Sequence, residues 1–319
     1  MPWWEEAISA DSNWTVRSPR ERQYAEGMSV SSRLRSLIGP LADKLVYASE
    51  PYVEIKSTLN ELGLSLMSFR DGPMGDADAR LLKFLSFIRP MDSDKLDLVR
   101  IGGPHDGGYV MAAPLIAQGA ISIGIGRDVS WDIDVSDSGV PVAMFDPTIR
   151  KPPRPVRGGR FFRKGLGDAH SSQSLRSLTS LVEMSGFSSS SDLLLKIDIE
   201  GNEWAALDDV EPNQLRCFTQ IVMELHDLSR LGKVVSARPL LAAMEKLTAH
   251  HVPVHIHANN YSRLVRFDSF FFPDVVEVSL VRRDLYPRFA PARRLRTDLD
   301  APCDHRASEI SLAAILDLP

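Results

Sequence analysis

Apolar residues recur along this chain with two different periods, and together they predict strands that alternate with helices from about residue 96 onward. Short, bounded apolar runs are typical of buried strands, whereas leucines at helical spacing predict amphipathic helices. The predicted strands are residues 120–125, 140–145, 159–164, 193–197, 219–225, 252–257 and 275–281, and helical spacing is found in residues 171–184 and 238–250. We therefore expect an α/β fold, with a doubly wound, mostly parallel, seven-stranded Rossmann-like sheet.

The first 95 residues follow a different pattern. Apolar residues lie at helical spacing in residues 33–48 and 77–88, and Pro90 marks the end of this helical part. We expect residues 1–95 to form a helical N-terminal extension or lid, and residues 96–319 to form the main domain.

Composition and charge narrow the range of function classes. The chain has 319 residues, of which 44% are hydrophobic, and its net charge is -5. This is the composition of a globular protein with no overall electrostatic attraction for nucleic acid. No apolar run approaches the roughly 18 residues of a membrane span, and the acidic, aromatic N-terminus differs from a secretory signal. We therefore expect a cytoplasmic protein without a membrane span.

The cysteines and the N-terminal tryptophans bear on stability and assembly. Cys217 and Cys303 are the two cysteines, and no CxxC spacing is present. This argues against a disulfide framework and against a cysteine zinc site. Trp3, Trp4 and Trp14 indicate a contact that buries aromatic surface, such as the interface of a homodimer.

A glycine turn and an aspartate follow the first two predicted strands of the main domain. Gly124 and Gly126 precede a helical stretch, and Asp146 ends the next strand about twenty residues later. This arrangement is typical of an adenosine-binding site, in which the carboxylate accepts the ribose hydroxyls, although a plain turn and a loop cap have the same spacing. A dinucleotide fingerprint needs a third glycine, where Val129 stands. The turn therefore favours S-adenosylmethionine, which carries no phosphate, over NAD.

Acidic residues and a histidine follow the next two predicted strands. In LLLKIDIEGNEW, Asp198 and Glu200 lie two apart, and in IVMELHDL so do Glu224 and His226. Because the carboxyl ends of parallel strands meet at one edge of the sheet, we expect these four side chains to converge. Clustered carboxylates repel each other unless a cation, a proton or a ligand amine is present. The pattern is compatible with three functional roles, which are binding of a sulfonium, binding of a divalent cation and general-base catalysis. It is equally compatible with two structural roles, in which the acids cap a helix and the histidine is a hydrogen-bonded core residue.

A third polar group follows the strand at residues 252–257. His255 and His257 lie two apart, and Asn259 and Asn260 follow them. The HxH spacing alone is a weak metal signal. We predict that His257, Asn259 and Asn260, together with Glu200, contact the acceptor substrate, although a polar turn after a strand is the simpler alternative.

Six of these segments carry a resemblance to a known family. DGGYVM (106–111), GIGRDVSWD (124–132), FDPT (145–148), LKIDIEGNEW (195–204), MELHDL (223–228) and HIHANNY (255–261) are similar to motifs of the FkbM-type methyltransferases, and more closely to the related methyltransferase-like branch with DGGY and HxNN motifs. The resemblance covers roughly residues 96 to 285, in order. The block KIDIEGNEW is its most specific part.

The resemblance implies a class I S-adenosylmethionine-dependent methyltransferase that acts on an oxygen of a sugar, polyketide or glycolipid. The positions that would contact the cofactor are Asp106, Gly107, Tyr109, Gly124, Gly126, Asp146, Asp168 and Asp198. Some O-methyltransferases of this fold bind magnesium with acids at the fourth and fifth strand ends, which Asp198 and Glu224 would match. We expect Asp198, Glu224 and His226 to be catalytic, with His226 as the base.

Two other function classes compete with this one. An NAD-dependent oxidoreductase would use the same architecture, and a catalytically silent methyltransferase-like binding module would keep the fold without the reaction. A local basic patch is formed by arginines 282, 283, 293, 294 and 296. A nucleic-acid-binding surface and a solvated, basic tail account for this patch equally well. We expect a small-molecule or saccharide acceptor and no nucleic-acid partner.

Overall fold

A computed structural model describes residues 75–168, 172–268, 270–313 and 315–316, and a mixed seven-stranded sheet organises this part of the chain. In chain order the strands are β1 (Met91–Asp92), β2 (Asp97–Ile101), β3 (Tyr109–Ala113), β4 (Gly119–Ile123), β5 (Val142–Phe145), β6 (Arg160–Phe162), β7 (Gly165–Leu166), β8 (Leu175–Arg176), β9 (Leu193–Ile197), β10 (Phe218–Leu225), β11 (His251–Ala258), β12 (Leu264–Arg266), β13 (Phe271–Pro273), β14 (Val276–Arg282) and β15 (Ala290–Pro291).

The helices cover the faces and the connections of the sheet. They are α1 (Asp76–Ile88), α2 (Ser130–Asp137), α3 (Leu178–Ser185), α4 (Glu203–Ala206), α5 (Pro212–Leu215) and α6 (Val234–Thr248), with 3₁₀ turns at Leu228–Gly232, Arg283–Leu285 and Thr297–Leu299. Within the described residues, no helix combines the length and the apolar character that a membrane crossing requires.

The strand order places a cleft between β4 and β9. Across the sheet the order is β11, β14, β10, β9, β4, β5 and β6. The pairs along β10–β9–β4–β5–β6 are parallel, and β14 runs antiparallel to both of its neighbours. From β4 the chain builds outward to β5 and β6, and then returns to build β9 and β10 on the other side. Ligands of doubly wound sheets bind where the strand order reverses in this way.

The seven strands predicted from apolar runs are confirmed, because each run overlaps one strand of the central sheet. β9 shows why an apolar run predicts a central strand. All five residues of Leu193–Ile197 are buried, as expected for a strand covered on both faces. Nonpolar side chains on both sides of a strand leave a continuous apolar run in the sequence.

One hairpin in front of the sheet was not predicted. β2 and β3 pair antiparallel, and the segment DGGYVM (106–111) runs from their turn into β3. The side-chain amide of Gln220 bonds both the N–H and the carbonyl of Ala112, which fastens β3 to β10. The hairpin thereby buries Tyr109 next to the carboxyl end of β9.

The described part of the N-terminal region contains one helix. Helix α1 agrees with the helical pattern at 77–88, and its residues Leu81, Phe84 and Ile88 are fully buried in the same hydrophobic cluster as the sheet. The predicted helix at 33–48, like all of residues 1–74, lies outside the described residues. The role of residues 1–95 as an extension or lid stays a prediction.

Candidate functional site

A cavity of about 710 Å³ lies at the carboxyl ends of β4 and β9, where the strand order reverses. This volume is in the usual range for sites that bind small molecules. Acidic side chains dominate the charged part of its described lining. The carboxylates are Asp106, Asp128, Asp146, Asp168, Asp198 and Glu200, and the cationic side chains are Arg127 and Lys196. Of the predicted cofactor contacts, the cavity is lined by Asp106, Gly107, Gly124, Gly126, Asp146, Asp168 and Asp198.

The glycine turn at the end of β4 is required for two different reasons. Gly124 has φ +79°, and a Cβ added to it would lie 1.6 Å from the carbonyl oxygen of Asp198. A side chain at position 124 is therefore excluded by the neighbouring strand end. Gly126 has φ +48°, and a Cβ there would meet no described atom within 4 Å. Its glycine serves the left-handed turn and leaves open space.

Asp146 is held in place by the turn that it faces. Its carboxylate accepts the N–H of Gly126 at 2.9 Å, and the N–H and hydroxyl of Thr148 at 2.7 and 2.6 Å. Burial raises the pKa of Asp146, but these hydrogen bonds outweigh it and hold the pKa below its ordinary value. The carboxylate is therefore ionised at neutral pH.

Asp198 lies on the cavity wall with one oxygen unsatisfied. Its Oδ2 is 3.5 Å from the Tyr109 hydroxyl and 4.0 Å from Lys196 Nζ. Its Oδ1 is buried without a hydrogen-bond partner among the described residues. Burial and repulsion from Glu224 raise the pKa of Asp198 to about 7, although Lys196 and His226 oppose the shift. A buried, unpaired carboxylate oxygen beside a cavity fits a cation or a donor group of a ligand.

His226 lies between carboxylates on both sides of its ring. Nδ1 is 2.9 Å from Glu203 Oε1, and Nε2 is 3.3 Å from Glu224 Oε2 and 3.6 Å from Glu200 Oε2. Burial lowers its pKa, but the bonds to Glu203 and Glu224 prevail and raise the pKa of His226 to about 11. The ring is therefore an imidazolium at neutral pH and donates at both nitrogens. A general-base role, which stays a prediction, requires that this proton leaves first.

Asp198, Glu224 and His226 form a group that could hold a metal ion. Each offers one ligand atom, and these atoms lie within 4.8 Å of one another. Two carboxylate oxygens and one imidazole nitrogen suit a divalent cation such as Mn²⁺, and the carboxylates suit Mg²⁺. Asn259 Nδ2 donates to Glu224 Oε1 and so orients the second carboxylate. The sequence placed Asn259 with the acceptor, whereas its described contact is with Glu224.

Two other predicted acceptor contacts lie away from the cavity lining. His257 lies between Glu277 and Glu309, and Asn260 donates to backbone carbonyls of the C-terminal segment, which we define as residues 300–310. These contacts give both side chains a role in holding that segment on the sheet. We therefore leave them out of the proposed acceptor site.

Three residues that shape the site were not predicted from the sequence. Lys196 is buried and its Nζ donates to the Gly124 carbonyl at 3.2 Å; a lysine inside an apolar strand was an available signal. Glu203, in LKIDIEGNEW, was not placed in the site, but it is fully buried and bonds His226. Thr148, in FDPT, was given no role and fixes Asp146. The signal for Glu203 and Thr148 was their place within the motifs LKIDIEGNEW and FDPT.

No family model and no curated protein sequence matches this chain. The fold and the site by themselves define an α/β protein of Rossmann-like architecture with an acidic cleft at the reversal of strand order. Its function is therefore argued from the chemistry of that cleft.

Proposed function

We propose that this protein is an S-adenosylmethionine-dependent O-methyltransferase. The observation that carries the proposal is the charge of the cavity: six carboxylates and two cationic side chains line its described part. S-adenosylmethionine carries a sulfonium and an ammonium, whereas NAD carries a negatively charged pyrophosphate. Because like charges in a partly buried site repel, the lining favours the methyl donor over the dinucleotide.

The residues around the turn suit this cofactor. Asp146 is an ionised carboxylate on the cavity wall that would accept a ribose hydroxyl, and Gly126 leaves open space beside it. The unpaired oxygen of Asp198, with Asp106 nearby, would hold the positively charged end. Bound there, S-adenosylmethionine would supply an electrophilic methyl group. The chain contributes position and charge, and alignment of two reactants alone accounts for several kcal/mol of a barrier, roughly 7 to 11 at best.

The acceptor hydroxyl has to lose its proton as the methyl group arrives. We propose that Asp198, Glu224 and His226 hold a divalent cation, which would supply Lewis acidity at this point. Glu203 accepts from Nδ1 of His226. Nε2 faces the other two ligands and would bind the cation after losing its proton, in the carboxylate–histidine arrangement that supports imidazole ligands. In this proposal His226 is a ligand rather than the base, and the exposed carboxylate of Glu200, which lines the same cavity, would take the hydroxyl proton and pass it to solvent. The acceptor is a saccharide or another small hydroxylated molecule.

Calorimetry on the full chain with S-adenosylhomocysteine and, separately, with NADH tests the cofactor. We expect S-adenosylhomocysteine to bind and NADH to give no heat of binding. Binding of NADH alone would support the oxidoreductase instead. Binding of neither would support the silent binding module.

A methyl-transfer assay with a panel of hydroxylated acceptors tests the reaction and the cation. We expect transfer that EDTA abolishes and that Mg²⁺ or Mn²⁺ restores, and Asp198→Asn should lose this response. Full transfer in EDTA, with no change on adding either ion, would remove the metal from the proposal and leave the methyltransferase in place.

A further inference from the structure

A second group of ligand-type side chains lies beside the first, under the C-terminal segment. It is on the same face of the sheet, because Glu277 is the direct cross-strand partner of Glu224 on one side and of His257 on the other. His257 comes from β11, Glu277 from β14 and Cys303 from the C-terminal segment. One ligand atom of each lies within 4.8 Å of the others, and all three residues are buried, with Cys303 only 1% exposed. None of them lines the cavity described above.

The distances within this group are close to those of a metal site. His257 Nδ1 is 3.0 Å from Glu277 Oε2, and Cys303 Sγ is 3.3 Å from Glu277 Oε1. Tetrahedral zinc with bonds of roughly 2.0 to 2.3 Å keeps its ligands about 3.3 to 3.8 Å apart. Small side-chain shifts would therefore admit an ion between the three groups.

The other side of the His257 ring carries the support that a ligating imidazole needs. Its Nε2 donates to Glu309 Oε2 at 3.0 Å, which leaves Nδ1 towards Glu277 and Cys303. Imidazole ligands of metals usually donate their second N–H to a carboxylate or a carbonyl, and this fixes the tautomer. Glu309 has that position.

We propose that His257, Glu277 and Cys303 bind a zinc ion that fastens the C-terminal segment to the central sheet. Thiolate, imidazole and carboxylate are all zinc ligands, and the thiolate selects zinc over magnesium. Three protein ligands leave the fourth position to water. The ion joins β11, β14 and the C-terminal segment, which has no strand of its own in the central sheet.

Zinc can replace protons in this buried cluster without changing its net charge. The ring of His257 donates to a carboxylate at each nitrogen, so it carries two protons, and the thiol of Cys303 carries a third. Zinc would displace the thiol proton and the Nδ1 proton. Two protons leave as one dication binds, so the net charge of the cluster does not change.

The sequence argued against a cysteine zinc site because no CxxC spacing is present. The three ligands come from segments 20 and 26 residues apart, so no short motif contains them. A single cysteine among oxygen and nitrogen ligands is also outside the usual spacing patterns.

Cobalt(II) titration of the full chain tests the proposal, because a thiolate bound to cobalt gives a charge-transfer band in the near ultraviolet. We expect one equivalent of cobalt to give this band and zinc to abolish it by displacement. Cys303→Ser should remove the band. Cys217→Ser is the matched control and should keep it, because Cys217 is bonded to the Gln214 carbonyl away from this group. Asp198→Asn should also keep it, which separates this site from the proposed catalytic cation.

The wild-type titration is decisive even if Cys303→Ser fails to fold. Cobalt that binds wild-type protein without the charge-transfer band, or does not bind at all, would overturn the proposal. A milder variant, Glu309→Gln, leaves all three ligands in place. We expect it to keep the band and to weaken zinc affinity by about 10- to 100-fold. Unchanged zinc affinity in Glu309→Gln would show that the His257 ring is not a ligand.

Discussion

A Cβ added to Gly124 would lie 1.6 Å from the carbonyl oxygen of Asp198, so the end of β4 passes too close to the end of β9 for any side chain. No heavy atom tolerates that distance, and the left-handed φ of +79° disfavours a side chain as well. We predict that Gly124→Ala lowers the free energy of unfolding by about 2 to 4 kcal/mol. Gly126→Ala is the matched variant and should cost about 1 to 2 kcal/mol, because it meets only the φ penalty.

Urea denaturation of both glycine variants measures this difference. Equal costs at positions 124 and 126 would contradict the close contact between Gly124 and Asp198. A loss of cofactor binding in Gly124→Ala is also expected, since the turn cannot keep its path.

Asp146→Asn tests the ribose contact. The substitution removes the charge and replaces one acceptor oxygen with a donor, so the N–H of Gly126 or Thr148 loses its partner. We expect the affinity for S-adenosylhomocysteine to fall by about 10- to 100-fold in calorimetry. Asp137→Asn, at an exposed position, is the control and should leave the affinity unchanged. Equal affinities in the two variants would remove Asp146 from the cofactor site.

The raised pKa of Asp198 predicts that its carboxylate destabilises the fold at neutral pH. Its pKa of about 7 in the folded protein lies above the ordinary aspartate value of 3.8, so the unfolded chain loses the proton first. Stability of the wild type therefore falls as pH rises from about 4 to 7. Asp198→Asn lacks this loss. We expect it to be more stable than wild type by about 1 to 3 kcal/mol at pH 8, and equally stable near pH 4.

Urea midpoints of wild type and Asp198→Asn, measured across this pH range after dialysis against EDTA, check the prediction. A variant less stable than wild type at pH 8 would show that Lys196 and His226 outweigh the burial and the repulsion from Glu224. Methyl transfer should be lost even though stability rises, which is the behaviour of a functional residue under local strain.

His226→Gln leaves Glu203 and Glu224 buried without the imidazolium between them. The pKa of His226 is about 11 in the folded protein against 6.5 for the free side chain, so its stabilisation is fully present below pH 6.5. It is lost as pH rises through about 11. We predict a cost of about 3 to 5 kcal/mol at pH 6 that shrinks towards pH 10.

Denaturation at both pH values, with the exposed His305→Gln as control, measures the contribution of this histidine. A cost that does not change with pH would mean that the ring is neutral in the folded protein. In that case His226 would be available as the base predicted from the sequence.

Much of the fold could be predicted from the sequence, because buried elements leave a recognisable pattern of apolar residues along the chain. Strands covered on both faces, such as β9, appear as unbroken apolar runs, and their alternation with helices indicates the sheet type. The β2–β3 hairpin could not be predicted in this way. Its pairing depends on Gln220 and Ser279 of distant strands, which bond the backbone of β3.

The sequence by itself determined the seven strands, the glycine turn with Asp146, and the convergence of Asp198, Glu224 and His226, because parallel strands deliver their following residues to one edge. Only the tertiary structure decided the protonation of that cluster, since the pKa of each group depends on burial and on neighbours such as Glu203. The same holds for Cys303, which meets His257 only because the C-terminal segment folds back over the sheet. Contacts between sequence-distant residues follow from packing, and no local pattern encodes them.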